Sequence, residues 1–107
     1  MPTPTELFAE LDQRLQANPE KTRGLTATYQ FNLEGDGGGV WQLRILDGRA
    51  EIIEGAADAP DTTSTLSVED YVAMATGEVT GRELFFSGRM RVDGNPMLGM
   101  RLAQIMA

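Results

Sequence analysis

Phe85-Phe86-Ser87-Gly88-Arg89-Met90-Arg91-Val92-Asp93-Gly94-Asn95 runs straight into the apolar stretch Pro96-Met97-Leu98-Gly99-Met100-Arg101-Leu102-Ala103-Gln104-Ile105-Met106. Gly88 can take the positive φ that ends a helix, Arg89 to Val92 alternates as a half-buried strand does, and Asp93-Gly94 reads as a turn pair. Asn95 then caps a last helix, with Pro96 at its first position. At about 100° per residue, Leu98, Leu102 and Met106 form one stripe with Ile105 beside it, flanked by the small Gly99 and Ala103. Only Arg101 and Gln104 are polar, and Met97 and Met100 crowd even their face. A surface helix keeps a broad polar side, so this one is expected to be covered on more than one side.

Met74, Met90, Met97, Met100 and Met106 all lie in the same part of the chain. Methionine is unbranched and polarizable, so it serves as core filler and as lining for ligands of variable shape. Beside an under-polar helix, the cluster points toward a cavity.

Composition narrows the chemistry. The 107 residues suit one domain, 1–107, with a modest core. With no cysteine and no histidine, the chain lacks disulfides, thiolate nucleophiles, the commonest general base and the commonest transition-metal ligand. Lys21 is the only lysine and follows the polar Asn18-Pro19, not an apolar pocket that would suit Schiff-base chemistry. A formal charge of −7 argues against nucleic acid or an anionic membrane as a standing partner. No run approaches the about 18 apolar residues needed to span a bilayer, and Met1 to Glu6 has neither the positive flank nor the apolar run of a signal peptide. A cytoplasmic protein without stable membrane insertion is expected.

Upstream, Thr3-Pro4-Thr5-Glu6 is a capping box that opens a helix with Leu7, Phe8, Leu11 and Leu15 on one face, ending near Asn18-Pro19. From Leu25, apolar and polar residues alternate, with Ala27, Tyr29, Phe31 and Leu33 facing one way. After the turn 34–39, Trp41, Leu43 and Ile45 supply the next apolar face, and Asp47-Gly48 makes a hairpin to Ala50–Glu54. Asp61 to Leu66 reads as a fourth strand, Ser67 as the cap of a helix bearing Val68, Tyr71, Val72 and Ala75, and Thr80-Gly81-Arg82-Glu83 as a second capping box before Leu84, Phe85 and Phe86. The simplest arrangement burying these faces is α+β, with helices against one face of a five-stranded sheet.

Other motifs carry little. Gly35 to Gly39 precedes a strand, so it lacks the helix N-terminus a phosphate cradle needs. The aspartates lack calcium-loop spacing, and the serines lack a histidine partner. Glu51 with Glu54, or Glu69 with Asp70, are the remaining acid–base candidates, and solvated strand-end and first-turn acids explain both pairs. No catalytic residue, metal site or cofactor is expected.

Trp41-Gln42-Leu43-Arg44-Ile45-Leu46-Asp47-Gly48, Thr65-Leu66-Ser67-Val68-Glu69-Asp70-Tyr71, Gly77 and Phe86-Ser87-Gly88-Arg89-Met90-Arg91-Val92-Asp93-Gly94-Asn95 together resemble the sterol carrier protein type 2 family. The likeness covers nearly all the chain after the first helix. It implies a mixed, mostly antiparallel five-stranded sheet with helices on one face around an apolar tunnel for fatty acyl chains, acyl-CoA or sterols. By that likeness Trp41 and Phe86 lie near the tunnel, Leu98, Leu102 and Ile105 line it, and Gln104 offers a polar group to a ligand head. Pro96 stands where the family commonly has a flexible residue, and an ending at Ala107 without Ser-Lys-Leu implies a bacterial, stand-alone version.

The leading expectation is a non-enzymatic lipid-binding domain. Its cavity would lie between the sheet residues Tyr29, Phe31, Trp41 and Leu43 and the helical Tyr71, Met74, Phe85, Leu98 and Leu102, with Met90 and Met100 as further lining. The alternative is an interaction module, in which a second copy or a partner enzyme covers the last helix.

Overall fold

The computed structural model describes residues 2–106; the reading of the chain's two ends, at Met1 and Ala107, lies outside them. The first capping box forms as its spacing requires. The Thr3 side chain accepts from the Glu6 N–H and the Glu6 carboxylate accepts from the Thr3 N–H, opening α1 (Pro4–Ala17). A single 3₁₀ turn (Pro19–Lys21) leads to β1 (Ala27–Glu34), where Ala27, Tyr29, Phe31 and Leu33 are buried and the residues between them less so.

β2 (Gly39–Leu46) pairs antiparallel with β1, and β3 (Arg49–Glu54) pairs antiparallel with β2. Asp47 (φ 49°) and Gly48 (φ 83°) both sit in the left-handed region, as a two-residue hairpin with the sheet's twist demands. The chain then crosses the sheet face opposite the helices. There the Gly55 carbonyl accepts from the Gln42 side chain and the Gln30 side chain accepts from the Ala57 N–H. β4 (Thr62–Ser67) runs parallel to β1 on the other side, and β5 (Arg91–Gly94) closes the edge antiparallel to β4. The strand order is β3-β2-β1-β4-β5, a mixed and mostly antiparallel sheet.

Ser67 caps α2 (Val68–Ala75), and Thr80 with Glu83 forms the second capping box, at α3 (Gly81–Phe86). Asn95 accepts from the Met97 and Leu98 N–H groups to start α4 (Pro96–Met106). α1 packs against α2 and β3, α2 against β1 and β4, and α4 against β4 and β5. Among the described residues no helix is long and apolar enough to cross a membrane.

Two local expectations need correction. Arg89 and Met90 are not strand residues, because both their N–H groups donate to the Leu84 carbonyl and close the end of α3, which delays β5 to Arg91. Asp93-Gly94 is not a turn. It is the end of β5, paired with Thr63 and Thr62. Gly94 (φ 109°) is required there because the Asp61 carbonyl approaches so closely that a Cβ would collide with it.

Candidate functional site

The expected tunnel between sheet and helices is filled in this structure, and α1 fills it. Phe8 enters from α1 and stacks on Trp41 (ring centroids 5.0 Å apart, 21° between planes) and on Tyr71 (4.8 Å, 21°), with Phe31 tilted at 5.4 Å. Tyr29, Phe31, Trp41, Leu43 and Tyr71 are therefore buried in one close-packed cluster together with Leu102 and Ile105. Met74, Met90 and Leu98 are half-buried against its edge. The sequence reading placed Phe8 on the packing face of its helix but not among the cavity residues, since helical spacing cannot say how far a side chain reaches across the layer.

Four other candidates lie outside. Phe85, Phe86, Met100 and Gln104 are exposed, Phe86 and Met100 at 74% and 71% of their accessible surface. Phe86 follows Leu84, which takes the inward position of the short α3, and the Arg82 guanidinium lies 5.6 Å from the Phe86 ring centre on the outer surface. Met100 and Gln104 lie off the face of α4 that carries Leu102 and Ile105. The expectation that α4 is covered on more than one side is thus corrected: only its Leu102–Ile105 face is buried, and Met97 and Met100 stay in solvent.

That makes α4 a lightly held element. Two fully buried aliphatic side chains contribute about 1.5–3 kcal/mol each, with smaller gains from the half-buried Leu98 and Met106, against the conformational entropy of ordering a whole helix. Its Arg101 reaches the Lys21 carbonyl only at 3.5 Å. Local release of such a segment lies at the low end of the opening free energies within a domain.

Where α1, α2 and the end of α4 meet, an open groove of about 190 Å³ is lined by Leu7, Leu11, Tyr71, Met74, Ala75 and Met106, with Glu10 and Arg14 at its rim. Pockets that enclose drug-sized ligands begin at about 300 Å³, so a long acyl chain fits only if the groove deepens. Burial pushes the Tyr71 phenol pKa up, with Arg14 pulling it partly back, and the hydroxyl stays neutral. A larger depression of about 420 Å³ between the end of α1 and the β2–β3 hairpin holds none of the expected site residues. Its walls include Arg44 and Glu51, 3.9 Å apart and both largely exposed, so it is a wet surface feature rather than an apolar site.

Two features escaped the sequence reading. Asp70, buried in the first turn of α2, forms an ion pair with Arg89, whose Nε donates to Oδ2 at 3.3 Å, and so ties α2 to the end of α3. The dipole-facing position of Asp70 was legible, but its partner 19 residues away was not. The other is the Tyr29 hydroxyl, buried with no hydrogen-bond partner among the described residues. A buried, unsatisfied hydroxyl costs about 1–3 kcal/mol. Burial raises the Tyr29 pKa, Arg101 lowers it and Asp61 raises it further.

Comparison with known proteins agrees with this architecture. The model of the SCP-2 sterol transfer family matches residues 8–107. Hydroxysteroid dehydrogenase-like protein 2 of Rattus norvegicus is 32% identical over 88 residues, 81% of this chain and 17% of that protein. Sterol carrier protein 2 of Homo sapiens is 23% identical over 103 residues, 92% of this chain and 19% of that protein. The chain thus spans less than a fifth of either relative's length. The solution structure of palmitated SCP2L2 from Aedes aegypti superposes with a TM-score of 0.77 at 23% identity, covering 94% of this chain and 90% of that one, which establishes the shared fold.

Proposed function

The chain belongs to the SCP-2 sterol transfer family, and from that premise we propose that it binds the hydrocarbon chain of a lipid non-covalently between its helix layer and its sheet. The observation that carries this reading is α4: apolar nearly all round, held by Leu102 and Ile105 alone among its buried residues, and ending at Met106 beside the groove of Leu11, Tyr71 and Met74. A ligand enters by deepening that groove, parting α4 from the sheet and taking the contacts that Phe8 makes with Trp41 and Tyr71. Tyr29, Phe31, Leu43, Met90 and Leu98 then become lining. Phe85, Phe86, Met100 and Gln104 remain on the outside.

The palmitate of the Aedes aegypti neighbour supports acyl chains as the ligand class, and acyl-CoA and sterol-like molecules fall within the same proposal. The role is that of a single non-enzymatic domain acting in an aqueous compartment such as the cytoplasm. About ten buried methylenes at about 0.8 kcal/mol each give about 8 kcal/mol gross. Association and the opening of α4 reduce the net to micromolar binding, a strength that suits reversible carriage.

Trp41, the only tryptophan, reports on this directly because its ring stacks on Phe8. Titrating palmitate is expected to change Trp41 emission saturably, with one ligand per chain. Emission that stays constant while freshly purified protein carries no lipid in native mass spectrometry would remove the proposal. The exposed Phe86, Met97 and Met100 favour a second reading, a surface for a second copy or a partner enzyme. Sedimentation separates the two, since a dimer that ignores palmitate answers to the interface alone.

A further inference from the structure

We propose that the exposed Phe85-Phe86 pair of α3 docks the protein reversibly on the surface of a zwitterionic phospholipid bilayer, an assignment that rests on the lipid-binding reading above and says where the cargo is exchanged. The two rings meet edge to face with centroids 5.5 Å apart, and the side chains are 48% and 74% exposed. Their mounting is rigid. Leu84, the residue before them, is fully buried, and the Thr80–Glu83 capping box fixes the start of α3. The Arg89 and Met90 N–H groups close its end on the Leu84 carbonyl, and the Asp70–Arg89 ion pair ties that end to α2.

Arg82 stands one helical turn before Phe86, with its guanidinium 5.6 Å from that ring's centre, and it forms no ion pair among the described residues. The adjacent Glu83 is turned back onto the Thr80 cap. An apolar tip with an unpaired cation beside it matches the layering of a bilayer: the rings enter the acyl boundary while the guanidinium donates N–H to a lipid phosphate oxygen. A formal charge of −7 over the whole chain opposes an anionic surface and leaves the zwitterionic one. Area favours a bilayer over a protein. Two phenylalanines bury about 300–500 Å² between them, below the about 800 Å² that each partner of a stable complex contributes. The placement also suits delivery, because a Cβ at Gly81 would stand 3.2 Å from the Met74 sulfur. The first residue of α3 therefore abuts a side chain that lines the groove where the hydrocarbon chain enters.

The test is co-sedimentation of the wild-type chain, Phe86→Ser and Arg82→Gln with phosphatidylcholine vesicles, without palmitate. Phe86 is largely exposed, so its substitution leaves the fold in place, and an unchanged Trp41 response to palmitate in the absence of vesicles checks that it does. The wild-type chain is expected to partition onto the vesicles, Phe86→Ser about tenfold less and Arg82→Gln about fivefold less. Partitioning of Phe86→Ser within about twofold of wild type, or none by the wild-type chain, would overturn the docking surface. A saturable Trp41 response to palmitate in that case keeps the lipid-binding reading standing, so the two fail separately. A wild-type dimer that Phe86→Ser abolishes, with no vesicle binding, would give the surface to a second copy and overturn the bilayer as its occupant.

Discussion

Phe8→Ala is expected to destabilise the fold by about 3–5 kcal/mol. Phe8 is 2% exposed and holds three aromatic partners at once, stacking on Trp41 and Tyr71 and tilting against Phe31. Truncation removes its transfer free energy and those ring contacts, and leaves a void walled by sheet and α2 side chains that already sit in register. Domains of this kind carry about 5–15 kcal/mol in total, so the variant is expected to fold with a much lowered denaturation midpoint. The same void widens the space a ligand must open, so palmitate should restore more of the melting temperature in Phe8→Ala than it adds to the wild-type chain. Denaturant and thermal melts with and without palmitate measure both effects. An unfolding free energy within about 1 kcal/mol of wild type would mean that Phe8 is not the plug of the core.

Gly94→Ala is expected to cost about 3 kcal/mol or more, although it adds one methyl group at an exposed position of an edge strand. Two independent penalties act there. The backbone at φ 109° disfavours any Cβ, and the Asp61 carbonyl occupies the place where the Cβ would go. The neighbour is backbone and cannot swing away as a side chain does. Asn95, the cap of α4, follows directly and its N–H donates to that same Asp61 carbonyl at 3.0 Å, so the substitution also disturbs the start of α4. Thermal denaturation of Gly94→Ala beside Gly99→Ala makes the comparison. A Cβ at Gly99 meets nothing closer than Val92 at 3.7 Å, so Gly99→Ala should be nearly neutral or slightly stabilising, as Ala for Gly within a helix usually is.

What the sequence disclosed follows the range of the forces involved. Caps at Thr3, Ser67, Thr80 and Asn95 were legible because each is a bond between residues two or three apart. β1 and β2 were legible because alternate side chains must choose faces wherever one face is buried. Asp93-Gly94 was misread for the opposite reason: as a dipeptide it says turn, and only the Asp61 carbonyl, more than 30 residues earlier in the chain, makes it the end of a strand.

The candidate site divides along the same line. Alternation correctly turned Tyr29, Phe31, Trp41 and Leu43 inward, yet whether an inward face encloses space or packs solid depended on Phe8 from another element. α4 was ambiguous by its nature, because a helix apolar nearly all round has no unique face to bury. Leu102 and Ile105 won that competition, and Met97 and Met100 lost it. No pattern in the chain marks the Tyr29 hydroxyl as unpartnered, since that is a statement about the elements around it.

Hydrogen exchange along α4, with and without palmitate, tests most directly that this helix gates a lipid site. In the free chain, amides 100–106 are expected to exchange well before those of β1 and β2, and saturating palmitate is expected to change their protection while β1 and β2 hold theirs. α4 amides as protected as those of β1, and unmoved by palmitate, would contradict it.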